Sequence, residues 1–266
     1  MKDSLGDRMK SQYEVRTKYL LPRRTYTIIR LDGKAFHTFT RGMKRPYDLD
    51  LMWCMDQAAQ KLCENVQGVK LAYIQSDEIS LLLTDFEKTS TSAFFDGSIQ
   101  KIASVVASMC TAYFNEAMRD RKLTESIAFF DARVFTIPDP IEVENYFVWR
   151  QNDAVRNSIS MTAQSLHPHI ELHGVNTSQM QDMCIEKGVN WNDLPVGFKR
   201  GRMCIKEQYD IENPVHMKGT DVVFDGGIST RTRWVTDGAI WITKDREKFS
   251  SIIPKIVYEL ETDDVV

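Results

Sequence analysis

Three carboxylates are the residues whose kind and placing invite chemistry: Asp32, in an Asp32-Gly33 turn dipeptide, and the adjacent pair Asp77-Glu78, 45 residues further along. Carboxylates gathered in one place repel one another unless a proton or a cation intervenes. Hard oxygen donors select Mg²⁺, which is usually held by one or two carboxylates together with substrate phosphates. Asp32 and Asp77 could bridge two such ions about 3.5–4 Å apart, one activating an attacking hydroxyl and the other steadying a leaving oxygen. Gly33 would let backbone approach metal and triphosphate with no side chain in the way. Taken singly, an Asp-Gly turn is most often only a turn and an acidic hairpin tip is most often solvated.

The elements that must position these groups are readable along the chain. Residues 25–31 (TYTIIRL) are β-rich and end at the Asp-Gly turn, which predicts a first strand. After Pro46, Asp48 can cap a helix on which Leu51, Met52, Met55, Ala59, Leu62 and Val66 recur at three- and four-residue spacing, ending near Gly68. Residues 69–75 and 79–84 are short strand-like runs separated by Ser76-Asp77-Glu78, a hairpin with an acidic turn. Ser98 can cap a second helix with Ile99, Ile102, Ala103, Val106, Met109, Tyr113 and Ala117 on one face, and residues 128–137 read as a fourth strand.

This β-α-β-β-α-β order is that of the split βαβ, ferredoxin-like α+β fold. A right-handed crossover makes strands 1 and 2 parallel, with strand 3 between them. Asp32 and Asp77-Glu78 then follow strand ends on the same edge of the sheet, so their meeting is an expectation of the chain path alone.

Residues 30–39 (RLDGKAFHTF) followed by 75–80 (QSDEIS) closely resemble the paired motifs of the tRNA-His guanylyltransferase superfamily, and the resemblance runs from about residue 25 to about 206. It implies a polymerase-type palm that extends RNA in the 3′-to-5′ direction. By this resemblance Asp32, Asp77 and the Gly33 carbonyl hold two Mg²⁺ ions, with Glu78 an accessory acid. It also implies the reaction: an RNA 5′-monophosphate is activated with ATP, releasing pyrophosphate, and the 3′-hydroxyl of an incoming nucleoside triphosphate displaces AMP. Such phosphoryl transfers need positioning and charge neutralisation more than covalent help. The nucleotide contacts the resemblance suggests are Lys34, Ala35, Phe36, His37 and Ser76, a looser match at Lys44, Arg45 and Asp48, and Lys101 as a phosphate-binding lysine early on the second helix.

Enzymes of this family that add a single G to tRNA-His carry His-Ile-Asn-Asn shortly after Trp-Arg-Gln. Here Trp149-Arg150-Gln151 is kept, but Val155-Arg156-Asn157-Ser158 stands in place of the signature, with only Asn157 retained. The departure resembles the branch that repairs 5′-truncated tRNAs, in which pairing to the opposite acceptor strand selects ATP, GTP or another triphosphate. Arg150, Arg156 and Asn157 are candidate RNA contacts, and Lys199 and Arg200, beside Gly201 and Arg202, candidate phosphate contacts. Tyr146, Phe147 and Trp149 are expected in the core.

Composition limits the rest. Apolar residues at 42% and aromatics at 10% suit packed layers, and the 266 residues accommodate a palm with an N-terminal helix (1–138) and a helical and β extension (139–266). No apolar run is long enough to span a membrane and residues 1–10 show no signal core, which makes the expected location cytoplasmic. The five cysteines lack metal or disulfide spacing and read as reduced core fillers. Net charge is −3, yet residues 16–45 hold nine Lys or Arg against the single acid Asp32. His167, His169 and His173 lack partners at zinc spacing. Residues 219–242 alternate like a hairpin or meander with Asp225-Gly226-Gly227 as its turn, and the acidic tail 259–264 is expected to fray. Expected partners are tRNA and nucleoside triphosphates, and the resemblance implies a homotetramer. Competing readings are tRNA-His guanylyltransferase proper, a palm-fold cyclase or 5′-to-3′ transferase, and a non-catalytic RNA-binding palm.

Overall fold

Alternation along the first strand decides the architecture. The structure, a computed structural model, describes residues 4–88, 90–216 and 223–256, with 213–216 and 223–226 described by backbone only. In β1 (Tyr26–Gly33), Ile29 and Leu31 enter one hydrophobic core while Tyr26 and Ile28 enter another, so the sheet is buried on both faces. By the same period Arg30 and Asp32 share the face of Tyr26 and Ile28.

The chain enters through α1 (Leu5–Met9), which buries no residue, and reaches β1. A single helical turn, α2 (Phe36–Phe39), follows β1, and then α3 (Leu49–Asn65), whose N-cap Asp48 accepts from the Asp50 and Leu51 amides at 2.9 and 3.2 Å. The hairpin β2 (Val69–Gln75) and β3 (Glu78–Leu83) leads to α4 (Ile99–Asp120) and β4 (Phe130–Ile137). Ser98 occupies the N-cap position of α4, but its side chain accepts no capping hydrogen bond. Then come α5 (Pro140–Leu166), capped by Asp139, α6 (Thr177–Glu186), α7 (Val196–Arg200), β5 (Arg202–His216), β6 (Val223–Gly238) and α8 (Arg246–Ser250).

The sheet order is β4-β1-β3-β2-β5-β6, with every paired neighbour antiparallel. Its first four strands have the expected ferredoxin-like order, with β3 between the parallel β1 and β2. α3 and α4 cover one face; α5 and the C-terminal segment cover the other, where Gln151 fastens them by donating to Ile240 O at 2.8 Å and accepting from Ile242 N at 3.0 Å. The palm sheet continues into the C-terminal half, because Arg202–Ile205 of β5 pair with Ile74–Leu71 of β2.

One sequence expectation changes here. Asp225-Gly226-Gly227 is not a turn: these residues lie inside β6, Asp225 pairs with Pro214, and Gly227 takes φ +81° beside a register shift between Glu212 and Pro214. A glycine that reads as a hairpin turn serves an irregularity within a long ribbon instead. The expected fraying of 259–264 lies outside the described residues, as do residues 219–222 of the expected hairpin and Met1 to Asp3. All five cysteines are free and buried.

A carboxylate edge and the cavity beside it

Strand register brings the distant carboxylates together. Asp32 of β1 stands directly opposite Glu78 of β3 on one side and Asp131 of β4 on the other, and the Gly33 amide donates to the Asp77 carbonyl at 3.1 Å. The β2–β3 turn is only Ser76-Asp77, with Ser76 at φ +46°, because Glu78 already belongs to the strand. Glu78 therefore points with Asp32 toward α5, while Asp77 sits at the tip.

The charges are held against burial. Burial raises the Asp77 carboxyl above the usual carboxylate range, and the Asp32 charge adds to that rise. Burial also raises Asp32, assisted by Asp131 and opposed by Arg30 and Arg150. Glu78 is raised by burial as well, although Arg150 and Arg30 pull it back. Arg150 donates to Glu78 Oε2 at 3.3 Å and to Asp153 at 2.5 Å, and Arg30 lies 3.9 Å from the same Glu78 oxygen.

Next to Asp77 opens a cavity of about 400 Å³, walled by the α2 region, the start of α3, the hairpin tip, α5 and α7. Phe36, His37, Lys44, Arg45, Asp48, Ser76, Asp77 and Asn157 all line it. Four of these have a structural duty as well. Phe36 is buried in an aromatic cluster with Phe39, Phe114 and Phe130, and Asp48 caps α3 while its second oxygen accepts from the Lys44 amide at 3.2 Å. Ser76 makes the turn, and Asn157 lies 3.4 Å from Asp153. Ala35 adopts a left-handed backbone (φ +55°) that starts α2, and the Lys34 amide donates to Phe129 O at 2.8 Å.

Several sequence-derived contacts stand elsewhere. Arg150 is buried, with one terminal guanidinium nitrogen on Glu78 and the other on Asp153, so it holds Glu78 instead of facing an RNA. Lys199 is also buried, donating to Asn192 O and lying over the Trp191 ring. Arg200 stacks on Trp241 at 4.5 Å. Arg156 is exposed and pairs with Asp153 at 2.6 Å. Lys101, on the first turn of α4, sits over Phe95 at the end of the sheet where β1 begins, opposite the carboxylates. Of the three aromatics expected in the core, Tyr146 and Phe147 are there, but Trp149 is 51% exposed. His167 bonds Glu171 and Met183 O. Residues that sequence reading missed are Asp131, whose strand was read but whose register was not, and the cavity residues Tyr47 and Phe198, whose rings meet at 4.9 Å. Arg202, also in the wall, pairs with Asp56 of α3, a contact no spacing could reveal.

Gly33 has a duty beyond approach to a ligand. A Cβ there would lie 2.2 Å from the Phe36 ring, inside van der Waals contact. Gly33→Ala is expected to lower stability by about 2 kcal/mol through overpacking, a fall of about 4–8 °C in Tm for a chain of this size. Thermal unfolding checks it, and an unchanged midpoint would show that Phe36 moves aside freely.

Comparison with known proteins decides the family. The model of the tRNAHis guanylyltransferase family matches residues 6–138, half of the chain and the whole of the palm. The chain belongs to that family. A tRNA(His) guanylyltransferase from Debaryomyces hansenii is 30% identical over 75% of this chain and 79% of its own length. A solved bacterial tRNA(His) guanylyltransferase-like protein in complex with ATP is 44% identical, with TM-score 0.82, covering 94% of this chain and 99% of that one. A complex of such a bacterial protein with GTP gives TM-score 0.76 at the same identity and coverage. As a family member, the chain is a nucleotidyltransferase of the tRNA 5′ end.

The residues present also suit Mg²⁺. The donors at the edge are all oxygens, and the buried Gln75 Oε1 beside them has no hydrogen-bond partner. Among the described residues no three acidic, His or Cys side chains form a cage of their own.

Proposed function

We propose that this protein is a Mg²⁺-dependent 3′-to-5′ nucleotidyltransferase that rebuilds 5′-truncated tRNAs. The observation that carries the reading is that Asp77 belongs both to the cavity wall and to the carboxylate edge, so a nucleotide in the cavity would present its phosphates to Asp77 and Asp32. The relatives bound to ATP and GTP support triphosphates as occupants. Lys44 and Arg45 supply positive charge in the wall, and His37 offers a ring for a base. In the first step the RNA 5′-phosphate attacks the α-phosphorus of ATP and pyrophosphate leaves; in the second the 3′-hydroxyl of a triphosphate attacks the RNA 5′-phosphorus and AMP leaves. Mg²⁺ would be held by Asp32 and Asp77 with Gly33 and would neutralise charge developing on the phosphoryl oxygens. The protein's own contribution is to aim the reactants and hold Glu78 between Arg150 and Arg30.

The repair reading rests on Val155, Arg156 and Ser158 in the signature positions. The alternative, addition of one G to tRNA-His, is favoured by the names of the curated relatives. Incubation with 5′-truncated tRNA, ATP and all four triphosphates, beside a tRNA-His transcript, separates them by product size. Templated extension of the truncated acceptor is expected; a single G on tRNA-His with no repair product would reverse the assignment. The reading includes a cytoplasmic location and a homotetramer, the latter checked by light scattering.

Protons compete with the metal for these carboxylates. Their folded-state pKa values are raised, so the folded protein binds more protons than the unfolded chain as pH rises from the ordinary carboxylate range through the raised values. Stability without metal therefore falls across that window. Mg²⁺ is expected to raise Tm at pH 8 and to lose this effect as pH falls through the window; an equal Mg²⁺ shift at pH 8 and at the acid end of the window would remove these carboxylates as ligands.

A further inference from the structure

We propose that the exposed indole of Trp149 is the stacking platform for the terminal base at the RNA 5′ end, deepening the reading given under Proposed function, on which it rests. The sheet face toward α5 carries two adjacent cross-strand rows. The first is Glu78-Asp32-Asp131 and the next is Ser80-Arg30-Arg133. Trp149 lies beside the second row, with the Arg30 guanidinium 5.9 Å from its ring centroid. Arg150 lies against the ring at 4.0 Å, and the Tyr146 ring meets it edge-on at 5.9 Å. The indole is thus fixed by the same two guanidiniums that grip Glu78, yet half of its surface remains open.

A rigid aromatic face beside a phosphoryl-transfer site suits a nucleobase, because every base has a π-face and stacking needs no particular sequence. The incoming nucleotide is not its occupant, since Trp149 is absent from the lining of the cavity beside Asp77. Arg133, with its side chain 53% exposed and 3.9 Å from Asp32, supplies a cation where the phosphate attached to the stacked base would lie. Stacking at this point would hold the 5′-phosphorus over the carboxylate row while pairing with the opposite strand chooses the nucleotide.

The test uses the full chain and a hairpin RNA with a 5′-monophosphate and 2-aminopurine as its 5′-terminal base. Binding to the wild-type protein is expected to quench the 2-aminopurine fluorescence. Trp149→Leu should lose the quenching and raise the KM for RNA about tenfold with the KM for ATP unchanged, whereas Trp149→Phe stays within about twofold of wild type. Equal quenching by wild type and Trp149→Leu would overturn the platform, as would wild-type binding without quenching. A loss of kcat and Tm at unchanged RNA KM would make Trp149 merely a cover for Arg150. The quenching reads stacking without turnover, so failure of the wild type to extend any RNA defeats the enzymatic reading separately.

Discussion

Asp32→Ala and Asp77→Ala are each expected to reduce Mg²⁺-dependent addition to an RNA 5′ end by about a thousandfold or more. Phosphoryl transfer depends on charge neutralisation worth several kcal/mol, and each substitution removes an oxygen ligand from the carboxylate edge that adjoins the cavity through Asp77. The fold is expected to survive, and the sign follows from the raised carboxyl pKa values. At neutral pH the folded state holds these charges at a cost relative to the unfolded chain, so deleting either one leaves Tm unchanged or slightly higher. Activity by primer extension and Tm by calorimetry must therefore move independently. Near-normal turnover in either variant would defeat the metal assignment, and a collapse of Tm would recast the residue as structural.

Removing the cation behind Glu78 should act in the opposite way, mainly on stability. Arg150 and Glu78 have side chains only 6% and 12% exposed, and Arg150 also neutralises Asp153. Arg150→Met leaves a buried carboxylate short of its closest cation. Losing one partner of such a pair costs about 3–5 kcal/mol, or about 6–20 °C in Tm at this chain length. Two further measurements identify the cause. The deficit should shrink as pH falls, because burial already raises the Glu78 carboxyl and protonation removes the unpaired charge, and adding Glu78→Gln should restore part of the lost Tm. A Tm within about 2 °C of wild type would mean that Arg30 alone sustains Glu78.

Periodicity and turn residues made the palm legible because each is a local signal. The strand at 25–31, the helix capped by Asp48 and the tight hairpin around Asp77 are written in nearest-neighbour chemistry, and the order of the elements restricts the topology to one that gathers the strand ends. The cavity residues His37 and Ser76 came with the paired motifs at 30–39 and 75–80, and Lys44 and Arg45 with a looser match between them. Lys101 lies early on its helix as expected, but spacing along a helix says nothing about which end of the sheet that helix begins over.

Sequence by itself therefore determined the family, the ferredoxin-like order of the first four strands and the convergence of Asp32 with Asp77, all of which follow from local pattern and chain path. Tertiary structure decided the rest. Only strand register could put Asp131 opposite Asp32, and only the packing of a 27-residue helix against the sheet could bury Arg150 on Glu78 while leaving its neighbour Trp149 in the open. Adjacent residues on a helix point about 100° apart, so membership of one apolar run does not fix a common fate. Register and helix rotation are settled by the total area buried across the molecule, a sum to which residues far apart in the chain contribute at once.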